Sequence, residues 1–476
     1  MNSIKKNFAY NAFYQILSFV IPLITTPYIS RVLGPAPIGV YSYYYSIGTY
    51  FVLFTLLGLN NYGNREIAKT RDDVERLSTT FWNIYAVQVT CGIIVNICYM
   101  FFCFFLSDNK EVSFAMWLYV ASAALDINWF FFGIEKFKLT VTRNTIIKVL
   151  TTASIFLLIK KPEDILLYCI IIAGGALLSQ LFMWPYLFKE VRIVAPTWKE
   201  SKKHIRPNLA LFLTVIAVSL FKIMDKIMLG MMSPAEQVGF YESSERIVQI
   251  PTALVTSLGI VMLPRMSNLI AKKEGNVSDI IRKSIVFAMF ISTSLCFGIM
   301  GVSKEFVPLF YGTGYNTCIY LYLILLPSGL FYAFANVIRT QYLLPNEMDR
   351  PYIISAFIGA GVNIAINAIL IPILGSIGAA VGTLFAEMVV CIYQCFSVSS
   401  GLQIARYLKD SFIFLISGIV MFFGIYFFNF PLSQFQSLFV KIILGAIIYI
   451  VCAIVCMRIF NKQVLRITKE LLGFMR

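Results

Sequence analysis

Long apolar runs recur along almost the whole chain, and this feature constrains its fold more than any other. Many runs exceed about 18 residues, the length a helix needs to cross a hydrocarbon core about 30 Å thick. The composition agrees, because 59% of the residues are hydrophobic and only 13% are charged, whereas soluble domains carry about 25% charge. Continuous apolar runs also differ from the alternating pattern of membrane β-barrels. The sequence therefore predicts an all-α, polytopic membrane protein.

Polar breaks divide the runs into about fourteen predicted spans, the first over residues 8–31. Most of the 39 basic residues fall at the N-terminus, in every second loop and in the C-terminal tail. Because cytoplasmic loops are rich in Lys and Arg, we predict a plasma-membrane protein with both termini in the cytoplasm. That orientation requires an even number of spans, in agreement with fourteen. The alternate, outer loops contain only Arg31, Lys110, Lys160, Lys161 and Lys304.

An internal repeat divides the predicted spans. The stretch VLGPAPIGVYSYYYSI is similar to MLGMMSPAEQVGFYESSERI, so that Gly34 and Gly39 correspond to Gly230 and Gly239, with a loop four residues longer in the second copy. Six spans separate the copies, so both point the same way across the membrane. This spacing predicts a parallel repeat of two six-helix lobes with the substrate between them.

The predicted organisation thus has three parts. Residues 1–200 form the N-terminal lobe with spans one to six, and residues 201–405 form the C-terminal lobe with spans seven to twelve. Residues 406–476 contain two additional transmembrane helices and a cytoplasmic tail.

Ionisable side chains inside predicted spans are the first candidates for function, because a charge in hydrocarbon is costly. The basic ones are Lys148, Lys222, Lys226, Arg246 and Lys441, and the acidic ones are Asp126, Asp225, Glu242, Glu245 and Glu387.

Two interpretations apply to these charges. Asp126 and Lys148 lie at similar distances from the centre of the GIEKFKL hairpin, so at about 1.5 Å per residue they have similar depths and could form an ion pair. Around the turn at Pro234, three charges of span seven and three of span eight sum to zero and could form a network that gates the outer side.

The alternative is direct substrate contact by the cations Lys222, Lys226 and Arg246. Glu387 is a candidate for binding a coupling ion, and Lys441, near the outer end of its span, is expected to snorkel.

Three tyrosines also have two readings. Tyr41, Tyr44 and Tyr45 fall on one face of a predicted helix, together with Gly48. Such tyrosines are common in membrane-interface belts, and the alternative is that their rings stack on sugars of a substrate.

Metal and nucleic-acid chemistry find no support in the sequence. The ten cysteines include no CxxC pair and no Cys/His cluster, so neither a metal site nor a cofactor is predicted. The single histidine, His204, lies in a basic loop and is expected to be a loop residue. The net charge of +15 follows from the cytoplasmic loops, so no nucleic-acid partner is predicted.

Four passages in a fixed order carry a resemblance that covers nearly the whole chain. They are ISRVLGPAPIGVYSYYYSI (29–47), NYGNREIAKTRDD (61–73), WFFFGIEKFKLTVTRNTIIK (129–148), and QYLLPNEMDRPY (341–352) with GSIGAAVGTLFAE (375–387) after it. They resemble the Wzx-type polysaccharide-biosynthesis flippases of the multidrug/oligosaccharidyl-lipid/polysaccharide exporter superfamily.

The resemblance implies two six-helix lobes around a central cavity, two further helices, and rocking between inward- and outward-facing states. It implies that an undecaprenyl-diphosphate-linked oligosaccharide moves from the inner to the outer leaflet, for capsule or another surface polysaccharide. Its implied partners are membrane lipids and the polymerase and glycosyltransferases of the same pathway. Cations that face the cavity would offset desolvation of the diphosphate, and Arg31 is the residue to which this role is carried over.

Three alternatives remain beside this reading. A teichoic-acid precursor flippase is a close variant. An ion-coupled multidrug exporter of the same superfamily would use acidic groups such as Asp126 or Glu387 to bind cations. A membrane enzyme such as a polysaccharide polymerase would need a large charged outer loop, which the sequence lacks, so the chain is predicted not to be an enzyme.

Overall fold

The computed structural model describes residues 20–272 and 276–473. For Thr214, Val218, Phe221, Lys222, Leu471 and Leu472 only the backbone is described. Every regular element in these ranges is a helix, which confirms the predicted all-α class.

The described residues form nineteen α-helices, with short π and 3₁₀ turns between some of them, in the following order. The first part contains α1 (described over 20–32), α2 (Pro35–Leu56), α3 (Leu59–Thr70), α4 (Val74–Phe101), α5 (Lys110–Ala124), α6 (Asn128–Gly133), α7 (Phe137–Leu158), α8 (Ile165–Leu181), α9 (Trp184–Leu187), α10 (Trp198–Ser201) and α11 (Ile205–Met232). The second contains α12 (Ala235–Lys272), α13 (Val277–Tyr311), α14 (Thr317–Ile338), α15 (Asp349–Leu374), α16 (Ser376–Val398), α17 (Ile404–Tyr426), α18 (Gln434–Phe460) and α19 (Lys462–Gly473).

Eleven helical segments among the described residues are long and apolar enough to cross a membrane. The protein is therefore a multi-pass membrane protein. Three predicted spans, the first, second and seventh, are not among the eleven. Their helices are α1, which is described only in part, α2, in which tyrosines lower the hydropathy, and α11, whose side chains are described only in part. The count of fourteen spans stays a prediction.

The turn between α1 and α2 has the conformation that its residues favour. Gly34 adopts a φ of +79°, in the region where a residue without a Cβ is not strained. Pro35 occupies the first position of α2, where its missing N–H removes no helical hydrogen bond. Arg31 therefore lies in the last helical turn before this corner.

The two repeat copies start their second helices in the same register. Helix α2 begins at Pro35, four residues before Gly39, and α12 begins at Ala235, four residues before Gly239. The four extra residues of the second copy instead lengthen the preceding helix, since α11 continues past Gly230 to its end at Met232. They add about one helical turn.

The chain divides into two compact units, residues 1–230 and 231–476. Helix α11 belongs to the first unit because it packs closely on α2. A Cβ at Gly230 would lie only 2.1 Å from Cδ2 of Tyr43, and the hydroxyl of Tyr50 donates a hydrogen bond to the carbonyl of Ser219 at 3.2 Å. The functional lobes 1–200, 201–405 and 406–476 stay a prediction.

Two apolar clusters lie among the described residues of the first unit. One joins α2, α5 and α8, and the other joins α3, α4 and α6 around the buried Trp129. In the second unit α13 is central, since α14, α17 and α18 all pack against it.

Two buried ion pairs attach the last helices to α13. Arg282 Nε lies 2.6 Å from Asp410 Oδ2 on α17, and Lys441 Nζ on α18 lies 2.6 Å from Glu305 Oε1. The expected snorkelling of Lys441 is therefore wrong. The residue faces the protein and is fully buried, so an acidic partner on α13, rather than water, stabilises its charge.

Close packing of α15 and α16 gives a first prediction. A Cβ at Gly378 would lie 2.5 Å from the backbone C and O of Leu370, and backbone atoms cannot rotate away. Replacing Gly378 by alanine should therefore lower the free energy of unfolding by about 1–3 kcal/mol. Gly361→Ala is the matched control, because nothing lies within 4 Å of its added Cβ. Denaturant unfolding of purified protein in detergent measures both, and equal stability of the two variants would contradict the prediction.

Candidate functional site

Arg31 is exposed at the end of α1. Two residues later the side chain faces the interior instead, since Leu33 is 2% exposed and belongs to the apolar cluster of the first unit. The corner thus fixes the backbone at Arg31 through buried neighbours while its guanidinium stays accessible. This geometry suits an anion-binding cation, and that role stays a prediction.

The three candidate tyrosines of α2 have different surroundings. Tyr44 is buried, and its hydroxyl accepts hydrogen bonds from Ser107 Oγ at 3.0 Å and from the N–H of Asn109 at 2.8 Å. These contacts hold the start of α5, so Tyr44 has a packing role in this structure. Sugar stacking by Tyr44 stays a prediction.

Tyr41 and Tyr45 belong to an aromatic row. The ring of Tyr41 meets Tyr168 of α8 edge-on at 4.9 Å, and Tyr45 stacks on Tyr119 of α5 at 4.8 Å. Tyr45 is half-buried, so it has more accessible ring surface than Tyr41 in this conformation.

The candidate charges of α11 belong to the first unit. Asp225 is 1% exposed and Lys226 is half-buried. The side chain of Lys222 lies outside the described residues. Because Glu242, Glu245 and Arg246 belong to the second unit, the six-charge network that would join both sets stays a prediction.

The second unit brings four candidate side chains to adjoining helices. On α12, Arg246 Nε lies 2.9 Å from Glu242 Oε1, and Glu245 precedes Arg246 in the same turn. Tyr241, on the same helix, shares a hydrogen bond of 2.8 Å with Thr383 of α16. Glu387 follows Thr383 by one helical turn and therefore lies on the same face of α16.

This polar surface of the second unit carries both signs of charge. The side chains of Glu242 and Arg246 are 13% and 26% exposed, and Glu245 and Glu387 are half-buried. A guanidinium held by an adjacent carboxylate keeps a fixed direction and can still donate to a phosphate oxygen. The arrangement is consistent with an anion site at Arg246 and with a cation or proton site at the acidic residues.

Asp126 has other partners than the one its spacing predicts. Within the described residues, its carboxylate accepts hydrogen bonds from the N–H and the side-chain amide of Asn128, at 2.9 and 2.7 Å, and not from Lys148. The positive charge of Arg143 also acts on it. Arg143 is 2% exposed and donates to Asn128 Oδ1 at 2.8 Å.

A break in the helix explains this difference. Helix α5 ends at Ala124 and α6 begins at Asn128, so depth does not increase by a constant rise through Asp126. Side chains satisfy the freed carbonyls. Gln88 Nε2 donates to the carbonyl of Asp126 at 2.8 Å, and Trp184 Nε1 donates to that of Leu125 at 3.2 Å.

Arg143 is a buried residue of the first unit that the sequence analysis did not single out. It also donates to the carbonyl of Ser179 at 3.1 Å. The signal for its burial was the pair of amide residues, Asn128 and Gln180, inside otherwise apolar runs. Amides buried in a membrane protein need partners, and Arg143 supplies one.

His204 has a structural contact. Its Nδ1 lies 2.7 Å from the hydroxyl of Tyr62. Burial lowers the pKa of His204 and raises the pKa of Tyr62 to about 12, so both groups are neutral at pH 7. Over residues 20–272 and 276–473, no three His, Cys, Asp or Glu side chains come together as a metal site requires.

The sequence comparisons cover more than half of the chain. Residues 4–270 match the family described as "Polysaccharide biosynthesis protein". The "Putative O-antigen transporter" of Escherichia coli (strain K12) is 22% identical over 396 residues, which cover 82% of this chain and 95% of that protein.

Solved structures agree on the fold. "Lipid II flippase MurJ, inward closed conformation" matches with a TM-score of 0.74 at 17% identity, over 94% of this chain and 98% of that one. An inward-facing multidrug resistance MATE family transporter of the MOP superfamily matches with a TM-score of 0.60 at 15% identity, over 80% of this chain and 95% of that one. The family match covers more than half of the sequence, and the chain therefore belongs to the polysaccharide biosynthesis protein family that its four passages resemble.

Proposed function

We propose that this protein translocates undecaprenyl-diphosphate-linked oligosaccharide repeat units from the inner to the outer leaflet of the plasma membrane. The units would serve capsule or another surface polysaccharide. The observation that carries the proposal is the match to 95% of the length of the E. coli relative, which is named an O-antigen transporter. The matched proteins are named transporters and flippases, in agreement with the prediction that the chain is not an enzyme.

Alternating access between two repeated lobes is the proposed mechanism. Equivalent contacts support the repeat. Tyr41 and Tyr241 occupy matching positions in the two copies, and each contacts the helix that forms the sixth predicted span of its own lobe. Tyr41 contacts Tyr168 on α8, and Tyr241 contacts Thr383 on α16. Two homologous lobes that each keep this contact can move as bodies without repacking their interiors.

The diphosphate of the proposed cargo determines which side chains its transport requires. Two phosphates must leave water, and cations that donate hydrogen bonds to them reduce that cost. Arg31 and Arg246 are the proposed phosphate-binding residues, since guanidinium groups match phosphate geometry. Lys222 and Lys226 are proposed to contribute further positive charge, and Tyr45 is proposed to stack on a sugar.

Orientation follows from the distribution of basic residues. We place both termini in the cytoplasm, because the N-terminus and every second predicted loop carry most of the Lys and Arg. Arg31 and the α1–α2 corner then face the outer side, where the cargo leaves. Glycosyltransferases that build the repeat unit and the polymerase that consumes it are the proposed functional partners.

Arg31 supplies the test of this proposal. Replacing Arg31 by glutamine should lower surface polymer at least about tenfold in a strain that depends on this protein, because a charged hydrogen bond contributes about 1.5–3 kcal/mol and about 1.4 kcal/mol is tenfold. Arg31→Lys should keep part of the activity. The measurement is polymer per cell, together with lipid-linked oligosaccharide retained in the inner leaflet, at equal protein level.

Lys161→Gln is the matched control, since Lys161 is another exposed cation of a predicted outer loop. Its polymer level should stay unchanged. Normal polymer in Arg31→Gln, with the amount of protein unaltered, would overturn the role of Arg31. Normal polymer in cells that lack the whole protein, with no second flippase present, would overturn the function itself.

An ion-coupled multidrug exporter is the second candidate. It is favoured by the similarity of the fold to a MATE family transporter and by the half-buried Glu387 on the polar surface of the second unit. Glu387→Gln separates the two functions. Under this alternative, the variant would lose drug resistance and leave surface polymer unchanged.

A further inference from the structure

Helix α19 presents a basic surface that the proposed transport does not use. It follows α18 after Asn461, whose side chain accepts a hydrogen bond from the N–H of Gln463 at 3.0 Å. Its apolar side is already covered by the protein, because Val464 and Ile467 are 0% and 6% exposed. Helix α19 packs on α18 and α13, so its opposite side is the one available to a ligand.

That available side forms a shallow, open surface depression, here called the α19 groove. Its lining residues are Lys462, Leu465, Arg466, Lys469 and Glu470. The three basic side chains are exposed, and their spacing of four and three residues places them on one helical face.

The charges of the α19 groove do not cancel. Glu470 is held by Arg466 at 3.2 Å and by Lys283 of α13 at 3.3 Å. Among the described residues, Lys462 and Lys469 form no ion pair. The groove therefore has an excess of positive charge on a fixed backbone, which selects an anion.

The depth of the α19 groove in the membrane indicates which kind of anion it binds. Ile459 and Phe460, at the end of α18, are 69% and 61% exposed, as side chains facing hydrocarbon are. Lys462 follows two residues later, so the groove lies at the level of lipid headgroups. Basic residues just outside a span attract anionic lipids.

We propose that the α19 groove binds the headgroup of an anionic phospholipid. Lys462, Arg466 and Lys469 contact its phosphate, and Leu465 packs against its glycerol and upper acyl carbons. The site is separate from the transport residues and does not depend on the cargo being a lipid-linked oligosaccharide.

The test uses full-length protein in nanodiscs of phosphatidylcholine, to which phosphatidylglycerol is added in known amounts. Native mass spectrometry then measures the affinity for phosphatidylglycerol. Because each basic residue near the surface contributes about fivefold, the combined Lys462→Gln, Arg466→Gln and Lys469→Gln variant should bind on the order of 100-fold more weakly. The thermal unfolding midpoint of each variant checks that it remains folded.

The matched control removes the same charge elsewhere. Lys199, Lys202 and Lys203 are exposed basic residues of the first unit, and their triple glutamine variant should bind phosphatidylglycerol as the natural protein does. If the two triple variants bound phosphatidylglycerol with the same affinity, whether unchanged or equally weakened, the proposal would be overturned. Inorganic phosphate is the third arm, and displacement of the lipid by phosphate at similar concentration would assign the groove to free anions instead. Failure of the flippase assay would leave this result unaffected.

Discussion

Replacing Asp410 by alanine is expected to lower the free energy of unfolding by about 3–5 kcal/mol, because it leaves a buried arginine without its carboxylate. Asp410 is 0% exposed and Arg282 is 5% exposed, with Nε 2.6 Å from Oδ2. The other carboxylate oxygen accepts a hydrogen bond from Asn461 at 2.7 Å. Nη1 of Arg282 donates to Gln463 Oε1 at 3.2 Å, and within the described residues Nη2 has no hydrogen-bond partner, so Asp410 supplies the countercharge of this guanidinium.

Denaturant unfolding in detergent measures this loss. Asp279→Ala is the control, because Asp279 also pairs with a basic side chain of α13, Lys283, but its side chain is 45% exposed. An exposed pair contributes at most about 1 kcal/mol. The double variant Arg282→Met and Asp410→Leu should regain most of the stability, since it removes both buried charges. If Asp410→Ala lost no more than Asp279→Ala, the buried pair would not have the assigned role.

Replacing Lys441 by methionine is expected to have an effect of similar size, about 3–5 kcal/mol. Lys441 is fully buried, and its Nζ lies 2.6 Å from Oε1 of Glu305. The second oxygen of Glu305 is buried with no hydrogen-bond partner among the described residues. The carboxylate would therefore stay in a low-dielectric region without a countercharge.

Lys304, which directly precedes Glu305 in the sequence, is the control for Lys441. It is exposed, and its Nζ lies 4.0 Å from the centre of the Tyr426 ring, a contact that contributes about 0.5–1 kcal/mol at an exposed site. Lys304→Met should therefore have a small effect on the same unfolding measurement. Adding Glu305→Gln to Lys441→Met should restore part of the loss, because the stranded charge is removed. No recovery in that double variant would show that Lys441 acts through packing alone.

Local sequence signals predicted local structure well. The Gly-Pro pair explains the corner at Gly34 and the start of α2, because each residue has a restricted or unusual backbone preference. The similarity between the two repeat copies agrees with the common register in which α2 and α12 start. These features depend on residues close together in the chain.

Long-range pairing could not be predicted in the same way. Arg282 and Asp410 are 128 residues apart, and either could have faced lipid, water or protein. Lys441 was expected to reach water because its position along α18 is visible in the sequence, whereas the side of the helix that meets α13 is not. The contacts of Asp126 differ from the prediction because three residues leave the helix just there. Packing and helix breaks of this kind depend on neighbours that a single sequence does not identify.

The buried pair of Glu305 and Lys441 also sets the order of assembly during synthesis. Glu305 precedes its partner by 136 residues, so at about 5–20 residues per second the ribosome adds Lys441 roughly 7–27 s later. Until then helix α13 holds the carboxylate of Glu305 without Lys441, and a buried charge without its partner is unfavourable. We expect the second unit to become resistant to proteolysis only after α18 has been inserted. A chain arrested before that helix should be a preferred substrate for membrane quality-control proteases.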